Sequence, residues 1–285
     1  MASLKEIKGR IASVKSTLKI TSAMKMVASS KLRRAQSAIT GMLPYQRALE
    51  DILSALLTPE SADKKYFTPV PEEGPQKVAL LCVSSNSSLC GAFNANVIRK
   101  VQQTLAAYRA AGATVEVFPV GKKVADAMVK AGLGQQVDYT KLSAHPSYDS
   151  AAALADVLVK GFIEGRFNKV ELIYNHFQST ATQPTVKETF LPLELKQEGA
   201  VDNDYIVEPS RKEQVELLLP KVLRLKIFTV LLDSAAAEHA ARTMAMQIAT
   251  DNADTLLGEL NLEYNKGRQQ KITSEILDLE GGAME

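Results

Sequence analysis

Glycines and lysines at two predicted turns are the residues of this chain that could hold a phosphate group. Gly121-Lys122-Lys123 resembles the end of a P-loop, whose backbone amides and lysine bind nucleotide phosphates. That motif requires glycine at position 116 and serine or threonine at position 123, where this chain has Glu116 and Lys123. The first predicted strand-to-helix turn, 89–94, has one glycine and lacks the GxGxxG pattern of a dinucleotide fold. These spacings argue against a bound nucleotide.

The histidines and cysteines do not form a known catalytic or metal-binding pattern. His145, His176 and His239 are far apart, no HExxH motif is present, and no GxSxG motif supplies a nucleophile. Cys82 and Cys90 lack the CxxC spacing of a zinc site, which favours two reduced thiols. We therefore expect no active site, no metal and no cofactor in this chain.

The basic residues are concentrated at one end. The first 47 residues carry ten Lys or Arg side chains and one acid, Glu6, although the net charge of all 285 residues is only +2. So basic a segment predicts an acidic partner, which would be nucleic acid, an anionic lipid surface or a carboxylate-rich protein surface. A solvated helix face is the alternative interpretation.

Two long helices are predicted to carry these residues, because all eleven prolines lie between Pro44 and Pro220. The N-terminal apolar seam is Leu4, Ile7, Ile11, Val14, Leu18, then less regularly Met24, Val27, Leu32, Ala35, Ile39 and Met42. The C-terminal seam is Leu223, Ile227, Val230, Ser234, Ala237, Ala241, Met244 and Ile248, with a second set at Leu257, Leu260, Tyr264, Ile272, Ile276 and Leu279. Heptad spacing at both ends predicts that the two helices pair as a long antiparallel coiled coil.

The middle of the chain predicts alternating strands and helices. Strands are expected at 78–83, 114–120, 138–142, 170–175 and 186–191, the last antiparallel at an edge, and helices at 94–111, 122–131 and 150–164. Such alternation indicates a mostly parallel sheet. The predicted fold is therefore α/β, with a Rossmann-like domain inserted between the coiled-coil helices. The domain boundaries are predicted at 1–58, 76–195 and 209–285.

Three long strings carry a family resemblance. Residues 20–32, ITSAMKMVASSKL, and 238–253, EHAARTMAMQIATDNA, resemble the gamma subunit of rotary F-type ATP synthases. So do 262–276, LEYNKGRQQKITSEI, and the ending near Gly282. The resemblance covers both ends and the domain between them, and it is of the bacterial type.

The resemblance implies a central rotor shaft that couples rotation of the membrane c-ring to ATP synthesis or hydrolysis and regulates ATPase activity and ion flow. Its partners would be the alpha, beta and epsilon subunits and the c-ring, at the cytoplasmic face of the bacterial plasma membrane. The chain would be a non-catalytic subunit without a cofactor. The resemblance implies that the beta subunits are contacted by Met24, Lys25, Lys31, Arg33, Arg34, Arg268, Gln269 and Thr273. Tyr205 and Glu208 would meet the c-ring at the foot.

Two other functions stay open from the residues alone. A nucleotide-dependent enzyme on the central sheet would bind labelled ATP, although its phosphate loop is missing. A nucleic-acid-binding coiled coil would use the basic segment, although that segment lacks interleaved aromatic residues.

Overall fold

The computed structural model describes residues 3–57, 64–68, 76–133, 139–193 and 205–282. The helices are α1 (Leu4–Leu56), α2 (Lys64–Phe67), α3 (Phe93–Ala110), α4 (Lys122–Lys130), α5 (Thr140–Ala144), α6 (Tyr148–Ile163) and α7 (Arg211–Gly282), and the strands are β1 (Lys77–Val83), β2 (Thr114–Val120), β3 (Lys169–Asn175) and β4 (Thr185–Leu191). None of the helices in these ranges combines the length and apolar composition that a membrane span requires. The predicted boundaries at 58, 195 and 285 lie outside the described residues.

α1 is a continuous helix of 53 residues that begins at a side-chain cap. The Oγ of Ser3 accepts a hydrogen bond from the amide of Glu6 at 3.2 Å, which satisfies one of the free amides of the first turn. Pro44 lies inside the helix without ending it. Proline removes only one backbone hydrogen bond, and the packing of Leu53 and Leu56 in the core stabilises the helix beyond it.

α7 has 72 residues and pairs with α1 in the antiparallel sense. Lys25 contacts Gln247, and Thr21 contacts Thr250. A Cβ on Gly267 would lie 3.1 Å from the Leu4 side chain, so the two helices approach closely at the start of α1. These contacts confirm the predicted antiparallel coiled coil.

The seam of the coil differs from the predicted seam at several positions. Val27 is 57% exposed, whereas Ala28 beside it is buried. Met244 and Ile248 are exposed as well, whereas Met246 and Ala253, outside the predicted seam, are buried; Leu260 of the predicted second set is buried as expected. One residue corresponds to 100° around a helix, so a one-residue error in the assumed register moves a side chain out of the interface.

The small residues of α7 serve two interfaces. Ala236 and Ala240 cluster with Leu32 of α1, as the coil requires. Ala237 and Ala241, which were predicted to face α1, pack against the central domain instead. The sequence pattern shows that these alanines are buried, but it does not show which neighbour covers them.

The central domain is a four-stranded sheet in the order β2-β1-β3-β4. β1 pairs in parallel with β2 and β3, and β4 is antiparallel at the edge. The mostly parallel sheet and the antiparallel edge strand confirm the predicted fold. The predicted strand at 138–142 is wrong: α5 covers Thr140–Ala144, and Asp138 lies outside the described residues. The segment 138–142 has only two apolar residues, Tyr139 and Leu142, which are too few for their spacing to distinguish a strand from a helix. Leu142 is the buried residue of α5.

The main core lies between one face of the sheet, α6 and the first third of α7. Leu154, Leu158 and Phe162 of α6 are fully buried there, together with Leu219 and Ile227 of α7. α6 is therefore enclosed between the sheet and α7, and this apolar packing holds the central domain beside the coil.

Candidate partner-binding surfaces

The free end of α7 forms the first surface. α1 begins at Leu4, opposite Gly267, so residues 268–282 have no described helix beside them. Fifteen helical residues correspond to roughly 22 Å. Ile272 and Ile276 are 48% and 52% exposed, and Leu279 is 74% exposed, although all three were predicted to lie in the seam. The prediction fails because α1 is too short to reach them.

Three predicted contact residues lie on this free end. Arg268, Gln269 and Thr273 are exposed. The hydroxyl of Thr273 donates to the backbone carbonyl of Gln269 at 3.0 Å, which fixes the hydroxyl against its own helix. The guanidinium of Arg268 is therefore the strongest donor of the three toward an outside group, and it can bind a carboxylate with two hydrogen bonds.

The second surface lies in the paired part of the coil, away from the free end of α7. Lys31, Arg33 and Arg34 are exposed and make no ion pair with a described residue. Met24 and Lys25 are only partly buried. Lys25 lies opposite Gln247, about 30 Å along the coil from Arg268. The structure therefore places the predicted contacts at two separate levels.

Lys25 has a role that the sequence did not indicate. Its ammonium donates to Oε1 of Gln247 at 2.8 Å, and Gln247 donates to Asp251 at 2.7 Å. An ammonium has three protons, so two remain for an outside carboxylate. The contact across the coil limits where that carboxylate can approach.

Exposed apolar side chains lie at the same level as Lys25, and their exposure was not predicted from the sequence. We call this set the apolar belt: Ile20, Met26, Val27, Met244 and Ile248, which are between 38% and 67% exposed. Large apolar groups beside cations are typical of a protein-binding surface, because nucleic-acid surfaces are mainly polar and charged. Val27, Met244 and Ile248 were assigned to the seam, so the signal in the sequence is the presence of apolar Ile20 and Met26 outside it.

Tyr205 and Glu208 lie just before α7, at its opposite end from Arg268. Tyr205 is 41% exposed, and the backbone carbonyl of Glu208 accepts a hydrogen bond from Gln214 at 2.7 Å. The structure therefore does not bring these two residues near the other predicted contacts.

The residues that resemble the end of a P-loop are satisfied by the protein itself. The amide of Lys122 donates to Asn86 at 2.8 Å, and the amide of Val124 donates to Ser84 at 3.0 Å. Gly121 has a φ of 96°, and a Cβ there would lie 2.1 Å from the carbonyl oxygen of Ser84. The glycine is needed for this close approach between the two loops. A phosphate bound at this turn would have to displace the side chains of Asn86 and Ser84.

His239 lies on α7 at the edge of the second surface. Its Nδ1 is buried without a hydrogen-bond partner among the described atoms. Burial, followed by the charges of Arg242 and Lys31, lowers the pKa of His239 to about 4. The imidazole is therefore neutral at pH 7, and the cationic character of this region comes from lysine and arginine.

Comparison with known proteins identifies the relatives of this chain. The family model described as ATP synthase matches residues 3–284. ATP synthase gamma chains from Bacteroides fragilis and Phocaeicola vulgatus are 54% and 53% identical, each aligned over 100% of both chains.

Solved structures give the same assignment. A chain of the Tetrahymena thermophila mitochondrial ATP synthase central stalk and c-ring has a TM-score of 0.61 and 25% identity, covering 81% of this chain and 99% of that one. A chain of the Euglena gracilis mitochondrial ATP synthase has a TM-score of 0.70 at 19% identity, covering 99% and 93%, which supports the fold alone. The chain therefore belongs to the family of ATP synthase gamma chains, the central-stalk subunits of F-type ATP synthases.

Proposed function

We propose that this chain is the rotating shaft that couples a membrane c-ring to ATP synthesis or hydrolysis in a ring of alpha and beta subunits. The observation that carries the proposal is the unequal length of the two coil helices. α7 continues for fifteen residues past Gly267 with no helix of the described residues beside it, and it carries exposed apolar and cationic side chains. A protruding helix of this composition is suited to enclosure by other subunits, and the family resemblance supports the bore of the ring as the place where it would lie.

The asymmetry of the shaft supports a mechanical role without catalytic residues of its own. The central domain packs on α7 at Ala237 and Ala241, whereas the apolar belt and the basic residues of α1 are exposed to possible partners. Each angle of the shaft therefore offers a different surface to each beta subunit. Differential contact of this kind shifts each beta subunit among its conformations, which is how a rotating shaft regulates ATPase activity and ion flow.

The contacts of the proposal follow the two levels of the coil. Arg268, Gln269 and Thr273 would meet a beta subunit at the free end. Lys31, Arg33 and Arg34, with Met24 and Lys25, would meet an acidic beta-subunit loop at the level of the apolar belt. Tyr205 and Glu208 would contact the c-ring at the foot, where epsilon would also bind. The complex would lie at the cytoplasmic face of the bacterial plasma membrane.

The test uses rings reconstituted from alpha, beta and this chain. The double variant Arg268→Ala with Gln269→Ala should lower ring assembly or ATP turnover, because it removes donors that face the ring. The matched control is Gln270→Ala with Lys271→Ala, which removes an amide and a cation from the same turn on another side of the helix. Normal assembly and turnover in the first variant, or an equal loss in the control, would contradict a specific contact at Arg268 and Gln269.

A second measurement addresses the shaft role itself. The wild-type chain should form a stable complex with alpha and beta, and ATP should drive its rotation in the ring. Failure of the wild-type chain to do either would refute the proposed function.

A further inference from the structure

The carboxyl ends of β1 and β3 hold a segment of the chain's own shaft helix. In open α/β sheets, ligands bind beside the carboxyl ends of the strands where the strand order reverses. The order β2-β1-β3-β4 places β1 and β3 at this point. Here Ala237 and Ala241 of α7 pack on Cys90 and Phe93, which follow β1. The shaft helix therefore occupies the crevice in which a ligand binds in related sheets.

Asp233 makes the first polar contact in this crevice. It is 9% exposed, in an otherwise apolar stretch of α7. Its Oδ2 lies 2.6 Å from Nδ1 of His176, and its Oδ1 accepts a hydrogen bond from the amide of Phe177 at 3.0 Å. Both carboxylate oxygens thus hold the residues that directly follow β3.

Arg242 makes the second polar contact, nine residues farther along α7. Its guanidinium is bound to Glu238 at 2.5 Å and donates to Oγ of Ser87 at 2.8 Å. The side chains of Arg242 and Glu238 are each 12% exposed. Ser87 belongs to the loop that follows β1, so this contact holds the other strand end of the crevice. The two anchors lie roughly 13 Å apart along the helix axis.

The remaining contacts between the central domain and α7 are of another kind. α6 packs on α7 through aliphatic and aromatic side chains, and apolar packing has little directional preference. The ion pairs of Arg224 with Asp156 and of Lys226 with Glu188 are between about one third and one half exposed, so each contributes little. Hydrogen bonds from the buried groups are directional, and they resist rotation of the domain about α7.

We propose that Asp233 and Arg242 are positioning residues that lock the central domain onto α7 and transmit torque from the foot of the rotor to the coil. This inference rests on the proposed function. In this interpretation, the crevice at the carboxyl ends of β1 and β3 is the binding site of α7 within the same chain.

The first experiment measures the joint in the full-length chain alone, by amide hydrogen exchange. Asp233→Ala should speed exchange at the Phe177 amide by about tenfold or more, because a charge-assisted hydrogen bond is lost. Arg242→Ala should speed exchange in the loop around Ser87. Asp156→Ala, which breaks an exposed pair between the same domain and the same helix, is the matched control and should leave both segments unchanged.

The second experiment measures coupling in the complete complex in vesicles. The ratio of ions transported to ATP hydrolysed should fall in the Asp233 and Arg242 variants and remain normal in Asp156→Ala. Asp233→Asn keeps the side-chain size and removes the charge, and Arg242→Lys keeps the charge and removes the guanidinium. These variants replace any alanine variant that does not assemble. An unchanged ratio in variants with faster exchange, or an equal fall in the control, would overturn the proposal. A wild-type complex without ATP-driven transport would instead refute the proposed function.

Discussion

Protonation of His239 is expected to destabilise the fold at mildly acidic pH. The ring is partly buried on α7, its Nδ1 has no partner among the described atoms, and Arg242 and Lys31 lie close enough to repel a proton. The imidazole therefore stays neutral in the folded chain until the pH approaches 4, whereas in the unfolded chain it is protonated around pH 6.5.

The sign and size of the effect follow from these two pKa values. Between pH 6.5 and about 4 the unfolded state binds more protons at this residue, so the free energy of unfolding decreases as the pH falls. The full loss, reached below about pH 4, is at most about 3 kcal/mol at 1.36 kcal/mol per pKa unit. Partial exposure of the ring to solvent reduces this value.

Denaturant unfolding from pH 7 to pH 4.5 measures the difference in the free energy of unfolding between the wild-type chain and His239→Gln. Carboxylates titrate in the same range, so the difference between the two chains isolates the histidine. The stability of the variant should rise relative to the wild-type chain as the pH falls. His145→Gln, at an exposed loop position, is the control and should follow the wild-type profile. Parallel profiles for the wild-type chain and His239→Gln would show that the imidazole titrates normally and that the reasoning from its surroundings is wrong.

Three further substitutions test the packing. Gly121→Ala should lower the free energy of unfolding by about 3 kcal/mol, measured with denaturant, because its Cβ would meet the Ser84 carbonyl at an unfavourable φ; near wild-type stability would contradict that close approach. Ala240→Leu should lower the thermal midpoint through a cost of about 1–3 kcal/mol, because it overpacks the contact with Leu32, and an unchanged midpoint would mean that Ala240 does not face α1. Glu171→Ala should lower the free energy of unfolding by about 3 kcal/mol at pH 7, because the buried carboxylate pairs with two lysines. Burial raises the pKa of Glu171, but its hydrogen bonds outweigh burial and lower that pKa below 4.5, so the stability difference between the wild-type chain and the variant should shrink as the pH falls below 4.5.

The central sheet could be predicted from the sequence because parallel strands covered on both faces give continuous apolar runs. β2 covers Thr114–Val120, as expected, and β1 differs from its predicted range by one residue. The antiparallel edge strand was predictable for a related reason. From Val186 to Phe190, β4 alternates between more buried and exposed residues, as a strand covered on one face does.

The joint between the central domain and α7 could not be predicted from the sequence. Asp233, Arg242 and His176 come from two distant segments, and a single acid or base on a helix is most often a solvated residue. Only the fold shows that Asp233 is buried and that both of its oxygens are bound. The one local signal is the position of Asp233, after three aliphatic residues and before a serine and three alanines.

The seam of α7 shows what heptad spacing determines and what it leaves open. A four-three pattern identifies a buried helix face, but adjacent faces differ by one residue, so Ala236 and Ala237 face different partners. The same pattern continues to Ile272 and Ile276, where α1 is no longer present and the side chains are exposed. The free energy of burying these isoleucines is therefore available to another subunit. The predicted seam positions that are exposed lie at the free end of α7 and in the apolar belt. These are the two levels at which the beta subunits would bind in the proposed function.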